Sequence, residues 1–451
     1  MRTVTSSQAA VYASALHARS SWAKVEVYST ITSAWVDLGS YLGYNWVKSV
    51  EISESIDSNV ATATIECALL AGPQGELTAS PFVTTGLFSY SAGFVAYGAL
   101  LGIYKQIRIS LAVMPLDVAP SSSDYMLKFR GRIQDVSVKP FGISLMCSDE
   151  MADLAAAFIE SNKDYGKDDG SILMEAVIQS ILNDWGGSVA LWSKNGTGAP
   201  TFAGGDSPAW AIKLYHQERM TVMDAIKQLA DQVAYDLRFR WQTTAADIKL
   251  VMQAPTRTSP SVDYTFDMSS LTNVSAGLSI ADVRNYIRVQ YGTKADQRFT
   301  ATSSDSTSIT AYGRRWMEIS EELSSQIDTS GEAQNLADRA KSDLALPKLK
   351  LQGTVPMFPN AELGDYYTVT GDGLIMGDYS LGVTAITQRV EASSGTTALT
   401  MSGVPASRGR AWTATQNAHT IRKIGTSNLA RFNGTAGNLF GNGSLNEWTR
   451  G

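Results

Sequence analysis

From Lys24 onward the chain alternates. KVEVYST (24–30) places apolar and polar residues at period two, the mark of a strand with one buried face. WVDLGSYL, VKSVEISESI and ATATIECALL continue the pattern, the last with Ile65 and Cys67 on one face. KQIRISLAVM (105–114) sets Ile107, Ile109 and Leu111 together, and LKFRGRIQDVSVKPFGISLMCSD (127–149) is two alternating runs meeting at Pro-Phe-Gly. With turn signals at short intervals, residues 21–150 predict an antiparallel β-barrel or sandwich. Residues 1–20 read as an Ala/Ser-rich arm and 71–96 as a loop rich in Gly, Ser and Thr.

The period then changes. SILMEAVIQSILNDWGG (171–187) aligns Ile172, Ala176, Val177, Ile181 and Leu182 on a helical stripe, with Ser171 as N-cap and Gly186-Gly187 as stop. TVMDAIKQLADQVAYDLRFRW opens with Thr221 and Asp224 in capping-box spacing, and its helix carries Met223, Ile226, Leu229, Ala230 and Val233. It runs into the strands DLRFRW (236–241) and DIKLVMQ (247–253), so 151–255 predict a mixed α/β unit. Residues 256–405 return to strands: ADVRNYIRVQYG (281–292), KLKLQGTV, ELGDYYTVT, YSLGVTAITQRVEA and TTALTMSG. Among them lie a Ser/Thr/Asp-rich tip at 300–308 and the amphipathic helix EAQNLADRAKSDLALP (332–347). In that helix Ala333, Leu336, Ala337, Ala340 and Leu344 share a face and Pro347 ends it. This region predicts a second β-barrel with an inserted helix-containing subdomain. Beyond 404 the pattern fades, leaving 406–451 as a C-terminal extension or linker.

One arrangement recurs. GIYKQIRISL, a loop, then FRGRIQDVSVKPFGISLMCSD parallels GDYYTVTGD, a loop, then LGVTAITQRVEASSGTTALTMSG. Each is a Gly-led strand, a loop, and a hairpin whose closing strand ends in Ser. Internal duplication accounts for this; the alternative is the alternation that any hairpin shares.

At 44% hydrophobic and 18% charged residues, the chain has the composition of a folded globular protein. Its 451 residues suggest about three units at roughly 100–200 residues each. The net charge of −6 is uneven. Residues 404–451 hold Arg408, Arg410, Arg422, Lys423, Arg431 and Arg450 against Glu447, or +5, leaving −11 for the rest. An acidic body argues against a nucleic-acid grip, which needs basic stripes. The basic segment is either a solvated extension or one that docks on an acidic surface. The N-terminus lacks an apolar signal-peptide core, and no apolar run approaches the ~20 residues of a membrane span.

Catalytic and metal-binding patterns are missing. Cys67 and Cys147 sit in apolar strand-like runs and read as buried small hydrophobes, with no CxxC. His17, His216 and His419 are far apart, and neither HExxH nor a GxSxG elbow occurs. His216 reads as a surface or capping residue rather than a base. DYGKDDGSI (164–172) fails as a calcium loop because Tyr165 and Lys167 stand at ligand positions; Asp168 and Asp169 instead favour the following helix start. GDGLIMG (371–377) joins two strands and reads as a hairpin turn, not a phosphate loop. Glu318, Glu321 and Glu322 beside Trp316 read as a solvated face rather than an acid/base pair. No catalytic, cofactor-binding or metal residue is therefore assigned.

In its ordered elements the chain resembles the tail-hub (baseplate-hub) proteins of tailed bacteriophages. These elements are FRGRIQDVSV with SLMCSDEMADLA, TVMDAIKQLADQVAYDLRFRW, NYIRVQYG, AQNLADRAKSDLAL, LQGTVPMFPNAELGDYYTV and VTAITQRVEASSGTTALTMSG, spanning most of 20–405. The resemblance implies a mostly β fold with α+β subdomains: two tube-protein-like antiparallel barrels decorated by smaller α/β subdomains. It implies a structural, non-enzymatic homotrimer at the distal end of the virion tail, assembled in the host cytoplasm, with no cofactor. Such a ring would join the sixfold tail tube to a threefold tip and line a channel for genome delivery. Implied partners are tail-tube or distal tail proteins and tip, fibre or spike proteins, with tape-measure protein and DNA passing without specific binding. The loop at 71–100 is longer than a minimal barrel needs. The alternative is a receptor- or glycan-binding tail protein. ARFNGTAGNLFGNGSLNEWTRG (430–451) looks like the opening of a carbohydrate-binding module at Asn438, Leu439, Asn442, Gly443 and Trp448, or else a Gly/Asn-rich linker. A tail-associated hydrolase is the third reading, disfavoured by the missing motifs. The tips after 105–114 and around 300–308 are expected to be contact loops.

Overall fold

A computed structural model describes residues 19–29, 33–40, 46–58, 60–68, 101–116, 118–139, 142–166, 172–185, 211–212, 214–232, 236–242, 247–253, 262–291, 299–319, 330–370, 379–392 and 394–403. The arm through residue 18, the loop at 71–100, the 371–377 turn and everything after 403 lie outside them.

Seven strands form the first unit: β1 (Arg19–Ser29), β2 (Ala34–Asp37), β3 (Val47–Ser55), β4 (Thr62–Ala68), β5 (Gln106–Pro115), β6 (Met126–Lys139) and β7 (Gly142–Asp149). Their order is β2-β1-β5-β6-β7-β4-β3, antiparallel throughout. The backbone closes the ring. Leu38 N donates to Val25 O at 2.8 Å, Trp46 N to Leu38 O at 3.2 Å and Ala68 N to Trp46 O at 2.7 Å. Period-two alternation sends Val25, Val27, Ile65, Cys67, Ile107, Ile109, Ile133 and Leu145 into one core around Trp46 and Phe129.

The α/β unit follows: α1 (Glu150–Ala156), β8 (Lys163–Gly166), β9 (Ile172–Leu173), α2 (Met174–Trp185), β10 (Ala211–Ile212), β11 (Leu214–Gln217), α3 (Val222–Gln232), β12 (Asp236–Gln242) and β13 (Asp247–Gln253). Its helices meet over Met151, Leu154, Ile178, Ile181, Tyr215, Ile226 and Leu229. Thr221 caps α3 as its spacing predicts: Asp224 N donates to Thr221 Oγ1 at 3.1 Å. The stripe expected on α2 is shifted. Ile172 belongs to a strand and the helix starts at Met174, so Met174, Val177, Ile178 and Ile181 turn inward and Ala176 is exposed.

The last region comprises β14 (Tyr264–Asp267), β15 (Thr272–Ser279), β16 (Tyr286–Tyr291), β17 (Phe299–Ser304), α4 (Ser306–Tyr312), β18 (Trp316–Ile319), α5 (Ser330–Leu344), β19 (Lys348–Pro356), β20 (Tyr366–Thr370), β21 (Tyr379–Glu391) and β22 (Ser394–Gly403). Strands β17-β16-β18 make a small sheet covered by α5. All five predicted helix positions, Ala333, Leu336, Ala337, Ala340 and Leu344, are buried against Ile287, Val289, Met317 and Ile319. The expected loop at 300–308 is instead β17 followed by the start of α4, capped by Asp305, whose side chain accepts from Ser308 N at 2.8 Å. Strand β16 begins only at Tyr286. Before it the buried Asn285 donates to Gly313 O at 2.8 Å and accepts from Arg315 N at 2.7 Å, which fixes the strand entry.

The remaining strands run β15-β19-β22-β21-β20-β14 around Phe266, Leu351, Tyr367, Val383, Leu399 and Met401. The pair β14·β20 is parallel, unlike its counterpart β1·β5. Both units belong to one sheet of 13 strands, so the described chain is mostly β with large antiparallel sheets.

Candidate assembly face

The strand run β3-β4-β7-β6-β5 recurs as β15-β19-β22-β21-β20, in the same chain order. The recurrence extends to single residues. Along β6·β7, Ile133 faces Cys147 and Asp135 faces Met146, which leaves Gln134 bulged out. Along β21·β22, Val383 faces Met401 and Ala385 faces Thr400, which leaves Thr384 bulged. Entry to each hairpin is alike too. Tyr104 N donates to Ile133 O at 2.6 Å and Ile133 N to Lys105 O at 3.0 Å. Gly364 N donates to Val383 O at 3.0 Å and Val383 N to Asp365 O at 2.9 Å. Tyr104 and Gly364 both hold left-handed φ, 69° and 85°. The glycine-led alignment of the sequence is therefore off by two residues: Gly364 corresponds to Tyr104, not to Gly102. The entry needs a left-handed residue, which glycine supplies at least cost; Tyr104 adopts it beneath the Arg132 guanidinium, 4.1 Å from its ring centroid.

Strand β21 joins the two units. Its first half pairs with β20, through Tyr366↔Gly382 to Val369↔Tyr379. Its second half, Ala385–Glu391, pairs antiparallel with Ser55–Ser49 of β3. At this seam Val390 enters the first core opposite Val50, and the hydroxyls of Thr387 and Ser53 lie 3.3 Å apart on the other face. The counterparts of the seam strands are β6 and β15. Among the described strands, nothing pairs with the edge of Asp135–Lys139 opposite β7, nor with the outer edge of β15.

Eight strands thus form one continuous surface, β15-β19-β22-β21-β3-β4-β7-β6. The face turned away from both cores can be read row by row. One row runs Thr354, Ala398, Thr387, Ser53, Thr62, Ser148. The next runs Thr396, Arg389, Glu51, Thr64, Met146, Asp135, and a third Glu391, Ser49, Glu66, Ser144, Ser137. Small hydroxyl side chains dominate, and in these rows one cation stands against four carboxylates. Lys348 and Lys350 of β19 add two cations to the same face, so charge is nearly balanced across it and hydroxyls set its character, with no basic stripe along these rows for a polyanion to grip.

On the other half of β6, alternate cations fasten the hairpin. Lys128 Nζ donates to Ala361 O at 2.6 Å, Arg130 pairs with Glu150 at 2.8 Å and Arg132 with Asp153 at 2.7 Å. Lys128 reaches the second barrel and the two arginines reach α1. Asp149 caps α1, accepting from Met151 N at 3.1 Å. Burial pushes its carboxyl well above the ordinary range, against the pull of backbone hydrogen bonds involving Ala61 and Met151.

The residues weighed for chemistry are scattered. His216 is exposed on β11 and hydrogen-bonded to Asp164 across β8. Glu318 is not simply solvated: it accepts from Gln290 and lies 3.8 Å from Arg288. Trp316 beside it is exposed. Cys67 and Cys147 are free and buried, and burial pushes the Cys67 thiol up to about 12 and that of Cys147 higher still. His17, His419, Asp168, Asp169, Glu321, Glu322, the 371–377 turn and the Asn438–Trp448 pattern lie outside the described residues. Among the described residues no three His, Cys, Asp or Glu side chains gather as a metal site, and no helix is long and apolar enough to cross a membrane.

No protein-family model matches the sequence, and no curated protein matches it. Solved structures do. The tail protein from Neisseria meningitidis MC58 aligns over 86% of this chain and 98% of its own, with TM-score 0.54 and 12% identity. The 43 kDa tail protein of prophage MuSo2 from Shewanella oneidensis covers 84% and 98%, at TM-score 0.52 and 11% identity. Prophage tail protein gp18 from Listeria monocytogenes EGD-e covers 88% and 99%, at TM-score 0.51 and 13% identity. The chain therefore has the fold of these phage tail proteins along nearly their whole length, which agrees with the resemblance read from its sequence.

Proposed function

We propose that this chain is the structural hub of a phage-type tail. Three copies form a ring at the distal end of the virion tail, between the sixfold tail tube and a threefold tip. The observation that carries this reading is the duplicated unit. Two barrels with matching bulges in one chain let three copies present six nearly equivalent surfaces, which suits a mismatch between threefold and sixfold symmetry. The hydroxyl-rich face of the eight-strand surface would line the channel, through which tape-measure protein and then DNA pass without specific binding during genome ejection. The division into a first barrel at 21–150, an α/β subdomain at 151–255 and a second barrel with its insertion at 256–405 belongs to this proposal. So do the remaining elements: assembly in the host cytoplasm, contacts to tube and tip or spike proteins, and a non-enzymatic role.

Size-exclusion chromatography with light scattering, followed by negative-stain imaging of the full chain, tests it. A threefold ring with an open or plugged centre is the expected result. A monomer that binds polysaccharide through its C-terminal region overturns it in favour of a glycan-binding tail protein.

A further inference from the structure

The small sheet β17-β16-β18 carries α5 on one side. Ile287, Val289, Met317 and Ile319 point into the core beneath that helix, so their strand neighbours point the opposite way. Pairing sets Trp316 beside Tyr286 and Tyr286 beside Ser304; the next row sets Glu318 beside Arg288 and Arg288 beside Thr302. Trp316 is 53% exposed, and Thr302 and Ser304 are exposed as well. Arg314, also exposed, holds its guanidinium 3.7 Å from the Tyr286 ring centroid. Gln290, two residues farther along β16, donates to Glu318 Oε1, and that oxygen lies 3.8 Å from Arg288 Nε. An exposed indole thus borders a patch of guanidinium, carboxylate, carboxamide and hydroxyl groups, to which the hub reading gives no task.

We infer that this face binds an acidic polysaccharide, one whose sugars carry carboxylates, such as the coat of a target cell. Trp316 supplies the stacking surface for the apolar face of a pyranose ring. Arg314 and Arg288 are planar forks that can meet a sugar carboxylate with two parallel N–H donors. Glu318, held in place by Gln290, accepts from a sugar hydroxyl. The site goes beyond the hub reading: it adds a binding task to a structural protein and does not depend on how copies assemble.

Charge and shape select this occupant. Two guanidiniums stand against one carboxylate on the patch, whereas residues 1–403 as a whole carry −11. An anion is therefore drawn here and repelled elsewhere on the body. A nucleic acid fits poorly, because it needs a basic groove that tracks its backbone, and Glu318 would face its phosphates from the middle of the patch. A protein partner fits poorly as well. The core of a protein interface is apolar and depleted of charge, while Trp316 is bordered here by charged and polar groups. A sugar presents the matching pair of surfaces, a C–H face for the indole and an edge of hydroxyls for the groups around it.

The test is native affinity electrophoresis of the full chain in gels cast with alginate, polygalacturonate or hyaluronan, with neutral dextran and the oligonucleotide poly-dT as controls. At least one of the three uronate polymers should retard the chain more than dextran or poly-dT does, and less so as salt rises. Trp316→Ala should weaken that retention about tenfold or more. Thr302→Glu, which sets a second carboxylate beside Arg288, should weaken it by about the same factor. Both side chains are exposed, so neither variant should shift the melting temperature; if Trp316→Ala melts early, Thr302→Glu decides. Trp448→Ala, in the C-terminal pattern, should leave retention unchanged. Three results overturn the site: no retardation by any uronate polymer, equal retardation by dextran or poly-dT, or loss with Trp448→Ala but not with Trp316→Ala. Light scattering on the same samples reads the hub separately. A trimer that ignores all three uronates keeps the hub and loses the site, whereas a monomer retained through Trp316 keeps the site and loses the hub.

Discussion

Arg132→Ala should unfasten the hairpin from α1. Arg132 Nε lies 2.7 Å from Asp153 Oδ2, with side chains only 9% and 6% exposed. Removing the arginine strands a carboxylate in the interior, and breaking a buried pair in this way costs about 3–5 kcal/mol. Loss of the contact over the Tyr104 ring adds about 1 kcal/mol. An internal control isolates the role of burial. Arg389 and Glu391 approach to 3.0 Å with side chains 54% and 62% exposed, so Arg389→Ala should cost less than about 1 kcal/mol. A chain with several cores does not unfold in one step, so the assay must report locally. Hydrogen exchange read by mass spectrometry over the 126–156 peptides in rising urea gives that local free energy. The double variant Arg132→Ala/Asp153→Ala should recover part of the loss, because no charge is then left stranded. Equal effects for Arg132→Ala and Arg389→Ala would refute the buried pair as the fastening.

Three further outcomes follow from the geometry. Gly131→Ala should cost about 2 kcal/mol or more and lower the melting temperature, because its Cβ would come within 2.1 Å of Ser148 O, a backbone atom that cannot step aside. Gly364→Ala should cost about 1–2 kcal/mol of local opening free energy, read by hydrogen exchange over peptides that span residue 364, through its φ of +85°, since the atom nearest the new methyl is the movable tip of Arg238. For Glu26, burial would raise the carboxyl, but Arg108 and Lys24 outweigh it and hold the group below the ordinary carboxylate range. Its stabilising contribution is then present above the unfolded pKa and lost as pH falls through the folded one, so Glu26→Gln should lower the melting temperature at pH 7 and flatten its decline in acid.

Most strands and the longest helix were legible in the sequence because alternation and the 3.6 period record which side of an element is buried. The five apolar positions of α5 and the bounds of β13 show this. What alternation does not record is which strand lies beside which. Neither the seam of β21 on β3 nor the parallel pair β14·β20 leaves a periodic trace, since each depends on contacts more than 100 residues apart. Lys128, Arg130 and Arg132 look like the wet face of a strand. They are half-buried or buried because α1 and the backbone at Ala361 pack over them. The Ser/Thr pattern of the eight-strand face was visible strand by strand, but its continuity across both units required the seam. At 300–308, polar composition suggested a loop, whereas β16 and the cap at Asp305 hold the segment as strand and helix.

Strand β21 serves two barrels with a single 13-residue stretch of backbone. Twist imposed on one half is inherited by the other, so the angle between the barrels is set by the coiling of one polypeptide segment. A hinge has no place to form there. Strain arriving at one barrel crosses to its sibling through peptide hydrogen bonds loaded side by side, which makes the pair behave as a single girder.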